Sequence, residues 1–251
     1  MFKKIFHIPL YNALIWLIGL FGGSVGWAVI VLTTIVKIIL APLNLASIRS
    51  QIAQKKLQPK MDAIRKQYTD KAEQSQKIME LYKDHKTNPF SGCLLILIQL
   101  PIILALYYVF LRGGLPDLDL SILYKGITAP QTINMMFLGA DLAVKSWVFA
   151  LVAGITQFIQ IQFSPSFRDV KTSEETSVAP HTPEETTGQD MMSQMGPMMQ
   201  KQMKYMMPII IFVVAMAVPA AVALYWITNN VVTIAIELIA TMRQKKEEAG
   251  N

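Results

Sequence analysis

Two stretches of this 251-residue chain, residues 92–111 and 206–236, contain no Asp, Glu, Lys or Arg. Each meets or exceeds the roughly 20 apolar residues that carry a helix across the hydrocarbon of a bilayer. With 53% hydrophobic and only 16% charged residues, a soluble fold would lack the polar surface to cover its core. The expected fold class is an all-α membrane protein crossing the bilayer several times. Cys93 is the sole cysteine, which excludes an internal disulfide and a Cys-rich metal site, and His7, His85 and His181 stand far apart. No metal or other cofactor is expected.

The apolar segments divide the chain into residues 24–46 (span one), 91–111 (span two), 146–163 (span three), 205–219 (span four) and 220–241 (span five). The last two belong to one apolar block, residues 205–240, which as a single helix would measure about 54 Å, nearly twice the hydrocarbon thickness. Pro219 is its natural break. Residues 1–23 are apolar but interrupted by Pro9 and Asn12 and closed by Gly22-Gly23-Ser24, and they predict an interfacial helix on the outer surface. A cleaved signal peptide and a sixth span are the rival readings of that segment.

Basic residues set the orientation. If the segment between spans one and two is cytoplasmic, seventeen Lys and Arg fall on the cytoplasmic side and five on the other, with Lys37 inside a span. That asymmetry predicts an outside N-terminus and a cytoplasmic C-terminus, and topology then accounts for the net charge of +6. Nucleic-acid binding is not expected, since no RNA-binding signature accompanies the charge. Residues 112–145 become an extracytoplasmic loop and 242–251 a cytoplasmic tail.

Residues 47–90 carry apolar side chains at helical spacing, among them Leu57, Met61, Ile64, Ile78 and Leu81, with breaks expected at Pro59 and near Asp70. A cytoplasmic helical hairpin is predicted. Residues 164–204 form a linker whose Ser-, Thr-, Glu- and Pro-rich part reads as disordered. Its end is rich in methionine, suited either to varied apolar partners or to inward packing of an extended fourth span.

The spans lack a GxSxG motif, an aspartate pair, histidine and a glycine-rich phosphate loop, so an enzyme is not expected. What they contain is Lys37, about 18 Å from the start of span one in a core about 30 Å thick. A lysine there costs about 2.5–3.5 kcal/mol on insertion scales and must face protein or water. Thr33 and Lys37, Gln99, Thr156 and Gln160, and the stripe Trp226, Asn230, Thr233 and Glu237 supply polar groups around it, with Tyr225 alongside. Two readings stand: a polar groove lined by these residues, or interhelical hydrogen bonding with Glu237 as the ion-pair partner of Lys37. For Tyr225 and Trp226 the alternative is plain packing.

Several strings carry a further signal: Leu57-Gln58-Pro59-Lys60-Met61, Asn88-Pro89-Phe90-Ser91-Gly92-Cys93, Leu97-Ile98-Gln99-Leu100-Pro101-Ile102, Ala105-Leu106-Tyr107-Tyr108, Met207-Pro208 and Leu224-Tyr225-Trp226-Ile227-Thr228-Asn229-Asn230. In identity and order they closely resemble the YidC/Oxa/Alb family of membrane protein insertases, over residues 8–242. The resemblance implies a five-span helical core and a polar groove closed to the outside but open to cytoplasm and lipid. Substrates with one or two transmembrane segments would pass through it without ATP or cofactor, their polar tails entering the groove while the apolar segment moves into lipid. Its implied partners are nascent membrane proteins and the phospholipid bilayer, with the Sec translocon and the signal recognition particle pathway as candidates.

Three departures qualify the likeness. Lys37 stands where the family commonly has Arg, keeping the charge without the guanidinium fork. The leading span and large extracytoplasmic domain of diderm-bacterial members are not expected, which suggests a short form in a bacterial plasma membrane. The short tail of mixed charge argues against direct ribosome docking. An anion transporter using Lys37 and an inert assembly factor for a membrane complex are the competing functions.

Overall fold

The computed structural model of the chain describes residues 3–85, 87, 91–111, 115, 118–164 and 204–249. Among the described residues eight α-helices follow in order: α1 (Ile8–Leu20), α2 (Val25–Ile39), α3 (Ala41–Gln67), α4 (Lys71–Asp84), α5 (Ser91–Leu111), α6 (Trp147–Phe163), α7 (Lys204–Ala217) and α8 (Ala220–Ala249). Strands β1 (Met136–Phe137) and β2 (Ala140–Asp141) form one short antiparallel hairpin between α5 and α6. The Ser/Thr/Glu/Pro-rich stretch and the methionines from Met191 to Met203 lie outside the described residues.

Helix α8 is the centre of the bundle. Its first turns, Ala220, Ala221, Val222, Ala223, Leu224, Tyr225 and Trp226, are all buried, and α2 and α6 pack along it. The alanines let neighbouring backbones come close, which in an apolar medium is the main source of helix association. By contrast the outward positions of α2, α6 and α7, such as Ile38, Ile39, Ile155, Ile209 and Val213, are exposed yet apolar. A surface of that kind suits hydrocarbon rather than water.

The break expected at Pro219 is present, between α7 and α8. The loop between α5 and α6 stabilises it, because Val144 and Leu142 carbonyls accept from the first amides of α8, Ala220 and Ala221, at 2.8 and 3.0 Å. Two other expectations differ from what is observed. The segment read as one span, residues 24–46, bends by 61° between α2 and α3, so that the hairpin's first helix starts at Ala41. Pro42 explains this: it fits the first turn of a new helix but would clash with a carbonyl four residues back in a continuing one. Pro59 does not break α3. It lies on the exposed face, while Leu57 and Met61 on the other side are buried with Ile78 of α4. The segment read as a tail is helical as far as Ala249.

The hairpin turn at Asp70 is capped by its carboxylate, which accepts from the Ala72 amide at 3.1 Å. The Gln74 side chain donates to the Arg65 carbonyl at 3.0 Å and to the carbonyl of Tyr68, and the Tyr82 hydroxyl donates to the Met61 sulfur at 3.2 Å. Turn, cap and apolar seam thus hold α3 and α4 together.

The loop between α5 and α6 is tied to the bundle at several points. Asn12, a blemish in an apolar run when read as sequence, is buried and donates to the Ile122 carbonyl at 2.9 Å while accepting from the Tyr124 amide at 2.7 Å. The Asp119 amide donates to the Tyr11 hydroxyl at 2.9 Å. Asn134 bridges to the start of α2, donating to the Gly23 carbonyl at 2.8 Å and accepting from the Val25 amide at 3.1 Å. Gly23, at φ +94°, meets this strand so closely that a Cβ would lie 2.5 Å from the Thr132 carbonyl oxygen.

Gly26 is equally tight, since a Cβ there would fall 2.2 Å from the Phe137 ring. Gly26→Ala is therefore expected to destabilise the detergent-solubilised protein by about 2 kcal/mol. Adding Phe137→Ala should remove most of that penalty. A thermal melt of both variants checks this, and equal losses with and without the ring would disprove the clash.

Candidate functional site

Lys37 lies in the last turn of α2 and is only 8% exposed. It borders a small open-sided cleft, with room for about one water, between α1, α2, α5 and α8, whose polar lining consists of Thr33, Lys37, Gln99, Tyr225 and Asn229 among apolar residues such as Leu32, Ile102 and Leu106. Three of these polar groups have a buried atom without a hydrogen-bond partner: Gln99 Nε2, the Tyr225 hydroxyl and Asn229 Oδ1. Thr33 is already satisfied, its hydroxyl donating to the Val29 carbonyl at 2.7 Å.

The remaining predicted groups sit elsewhere. Thr156 accepts from Asn230 at 3.2 Å, and Gln160 donates to Glu237 Oε1 at 3.0 Å, so the polar stripes of α6 and α8 face one another as an interhelical seam. Thr233 donates to the Asn229 carbonyl at 2.6 Å, and Trp226 is buried in the core. Among the described residues no salt bridge joins Lys37 to Glu237. Glu237 is 5% exposed and its Oε2 has no partner.

The cleft residue that sequence reasoning missed is Asn229. It stands four residues after Tyr225, one helical turn on the same face, whereas the stripe from Trp226 to Glu237 is rotated by one residue, about 100°, toward α6. The signal was present in the Tyr225 to Asn229 spacing. Among the described residues no group of three or more His, Cys, Asp and Glu is placed to hold a metal ion.

The described residues form an apolar-surfaced helical bundle that keeps Lys37 buried and unpaired amide and hydroxyl groups beside a cleft, the architecture of a membrane protein. The chain belongs to the YidC/Oxa/Alb family: the family model described as the 60Kd inner membrane protein matches residues 16–248. The membrane protein insertase YidC of Oceanobacillus iheyensis is 33% identical over 228 residues, spanning 86% of this chain and 75% of that protein. YidC of Stutzerimonas stutzeri is 33% identical over 231 residues, 91% of this chain. The chain spans only 34% of the length of that second relative. A crystal structure of an active YidC insertase with its first transmembrane domain resolved superposes with a TM-score of 0.56 at 23% identity, over 94% of this chain and 46% of that one, and so shares the fold.

Proposed function

We propose that the protein is a membrane protein insertase and chaperone, a binding machine rather than an enzyme, that passes transmembrane segments from the cytoplasm into the bilayer without ATP or cofactor. The observation that carries this is the set of unpartnered buried groups beside Lys37. A cleft serving only stability would pair its polar atoms, since each one left unpaired costs about 1–3 kcal/mol. Groups kept unpaired offer hydrogen bonds to a passing polar tail. Tail residues then cross less apolar distance, so their desolvation cost falls, while burial of the apolar segment in lipid drives the process. The family relatives named membrane protein insertase support the reading.

The same proposal places five spans in a bacterial plasma membrane, α1 at the outer surface, the α3–α4 hairpin in the cytoplasm, and nascent membrane proteins and lipid as partners. Purified protein in vesicles is expected to insert a single-span substrate that empty vesicles leave protease-accessible. Equal protection in both preparations would disprove the activity. For topology, in a Cys93→Ser background, cysteines at Ser121 or Gln131 are expected to react with a membrane-impermeant reagent added to intact cells, and one at Gln67 to stay unlabelled. Labelling at Gln67 would reverse the orientation.

A further inference from the structure

Leu138 stands in the turn between β1 and β2 and is 84% exposed, the most exposed large apolar side chain among the described residues. Its backbone lies at φ +50°, and Gly139 follows at +78°. No other described residue except glycine has a positive φ. A two-residue turn of this kind is filled best by Asn-Gly, because a Cβ crowds the left-handed conformation and a short polar side chain offsets that by local hydrogen bonding. In water leucine would be unfavourable here twice, for the backbone it adopts and for the surface it exposes.

The surroundings say what covers it. Met136 is also exposed, and the Phe137 ring packs edge-on against Trp27 with 5.6 Å between centroids. Trp27, itself exposed, opens the outward strip of α2 that runs on through Ile35, Ile38 and Ile39 toward hydrocarbon. Trp147, the first residue of α6, is exposed as well, and the hydrogen bonds of the loop gather the starts of α2 and α8 at the same end. Tryptophans exposed at helix ends mark the level where headgroups meet acyl chains. The one charge between Met135 and Val144 is Asp141, at the base of the hairpin, whose carboxylate accepts from the Ala143 amide at 2.8 Å.

We propose that the β1–β2 hairpin is a lipid anchor, its tip at Leu138 set among the upper acyl chains of the leaflet on the loop's side, with Met136 behind it. This rests on the chain being a membrane protein and is independent of insertase activity. The anchor fixes the depth of α2, because Phe137 is wedged against Gly26 in the first turn of that helix.

The test places the full chain in phosphatidylcholine vesicles containing a trace of a phospholipid with a photoreactive diazirine in the upper part of one acyl chain. After illumination, trypsin releases the hairpin within residues 126–145, and the peptide ending at Lys37 carries Trp27 as the lipid-facing reference. In unaltered protein both peptides are expected to be tagged, the first at Met136 or Leu138. Tagging of the Trp27 peptide with none on the hairpin overturns the proposal, whether water or a second protein covers the tip. Leu138→Asn supplies the residue that the turn itself favours, so the hairpin keeps its shape. That variant is expected to lose most of the hairpin tagging while the Trp27 peptide keeps its own. Undiminished hairpin tagging in Leu138→Asn would also overturn the proposal, since Leu138 would then not be the group that holds the tip in lipid.

Discussion

Lys37→Glu will abolish insertion of substrates whose translocated tails carry Asp or Glu, while Lys37→Arg will retain it. A tail carboxylate about 8 Å from Lys37, at an effective dielectric constant near 20, gains about 2 kcal/mol, or roughly thirtyfold in rate if the contact forms on the way to the barrier. Reversing the sign turns that gain into an equal penalty, so the full swing approaches a thousandfold. Lys37→Ala should lose only the gain, and only for acidic tails. A lysine whose role is to neutralise Glu237 predicts otherwise: Lys37→Ala would lower protein abundance for every substrate, and Glu237→Gln in the same chain would restore it. Abundance measured beside insertion of acidic-tailed and neutral-tailed substrates separates the two. Normal insertion of both by a stable Lys37→Ala protein would leave the charge without a role.

Deleting residues 70–86, which removes α4, is expected to reduce insertion to a small fraction of wild type while the spans remain in the membrane. The reason lies in the seam. Leu57 and Met61 of α3 are buried together with Ile78 of α4, and without α4 they face water. Shortening residues 172–187 by ten is expected to change little, because loop-closure cost varies only slowly with chain length, by about 0.6 kcal/mol per halving. Equal damage from both deletions, measured as insertion per unit of membrane-bound protein, would show that the hairpin has no special part.

The prolines show how far the sequence could be read. Pro219 interrupts a block too long for one crossing, and a break there followed from length alone. Pro59 and Pro101, each equally able to break a helix, lie inside α3 and α5. What separates the cases is tertiary. At Pro219 the loop before α6 supplies carbonyls for the amides that a new helix leaves bare, while at Pro59 the exposed face spares the apolar seam. The bend before Ala41 was legible in Pro42 but hidden by the apolar run that continues through it. In the candidate site, Lys37 announced itself as a cation in an apolar segment. Which face of α8 it shares was carried in the sequence only by the Tyr225 to Asn229 spacing, since Asn229 and Asn230 are chemically identical neighbours that packing assigns one to the cleft and the other to Thr156.

The fastened loop between α5 and α6 has a consequence for how the helices can move. Seven hydrogen bonds tie it to the bundle: three at Tyr11 and Asn12, two at the start of α2 and two at the start of α8. Breaking them together costs about 7 kcal/mol at roughly 1 kcal/mol each, so the detached arrangement is populated on the order of once in 10⁵ molecules. Helices α1, α2 and α8 are therefore coupled where the loop holds them, and any widening between them must occur away from it.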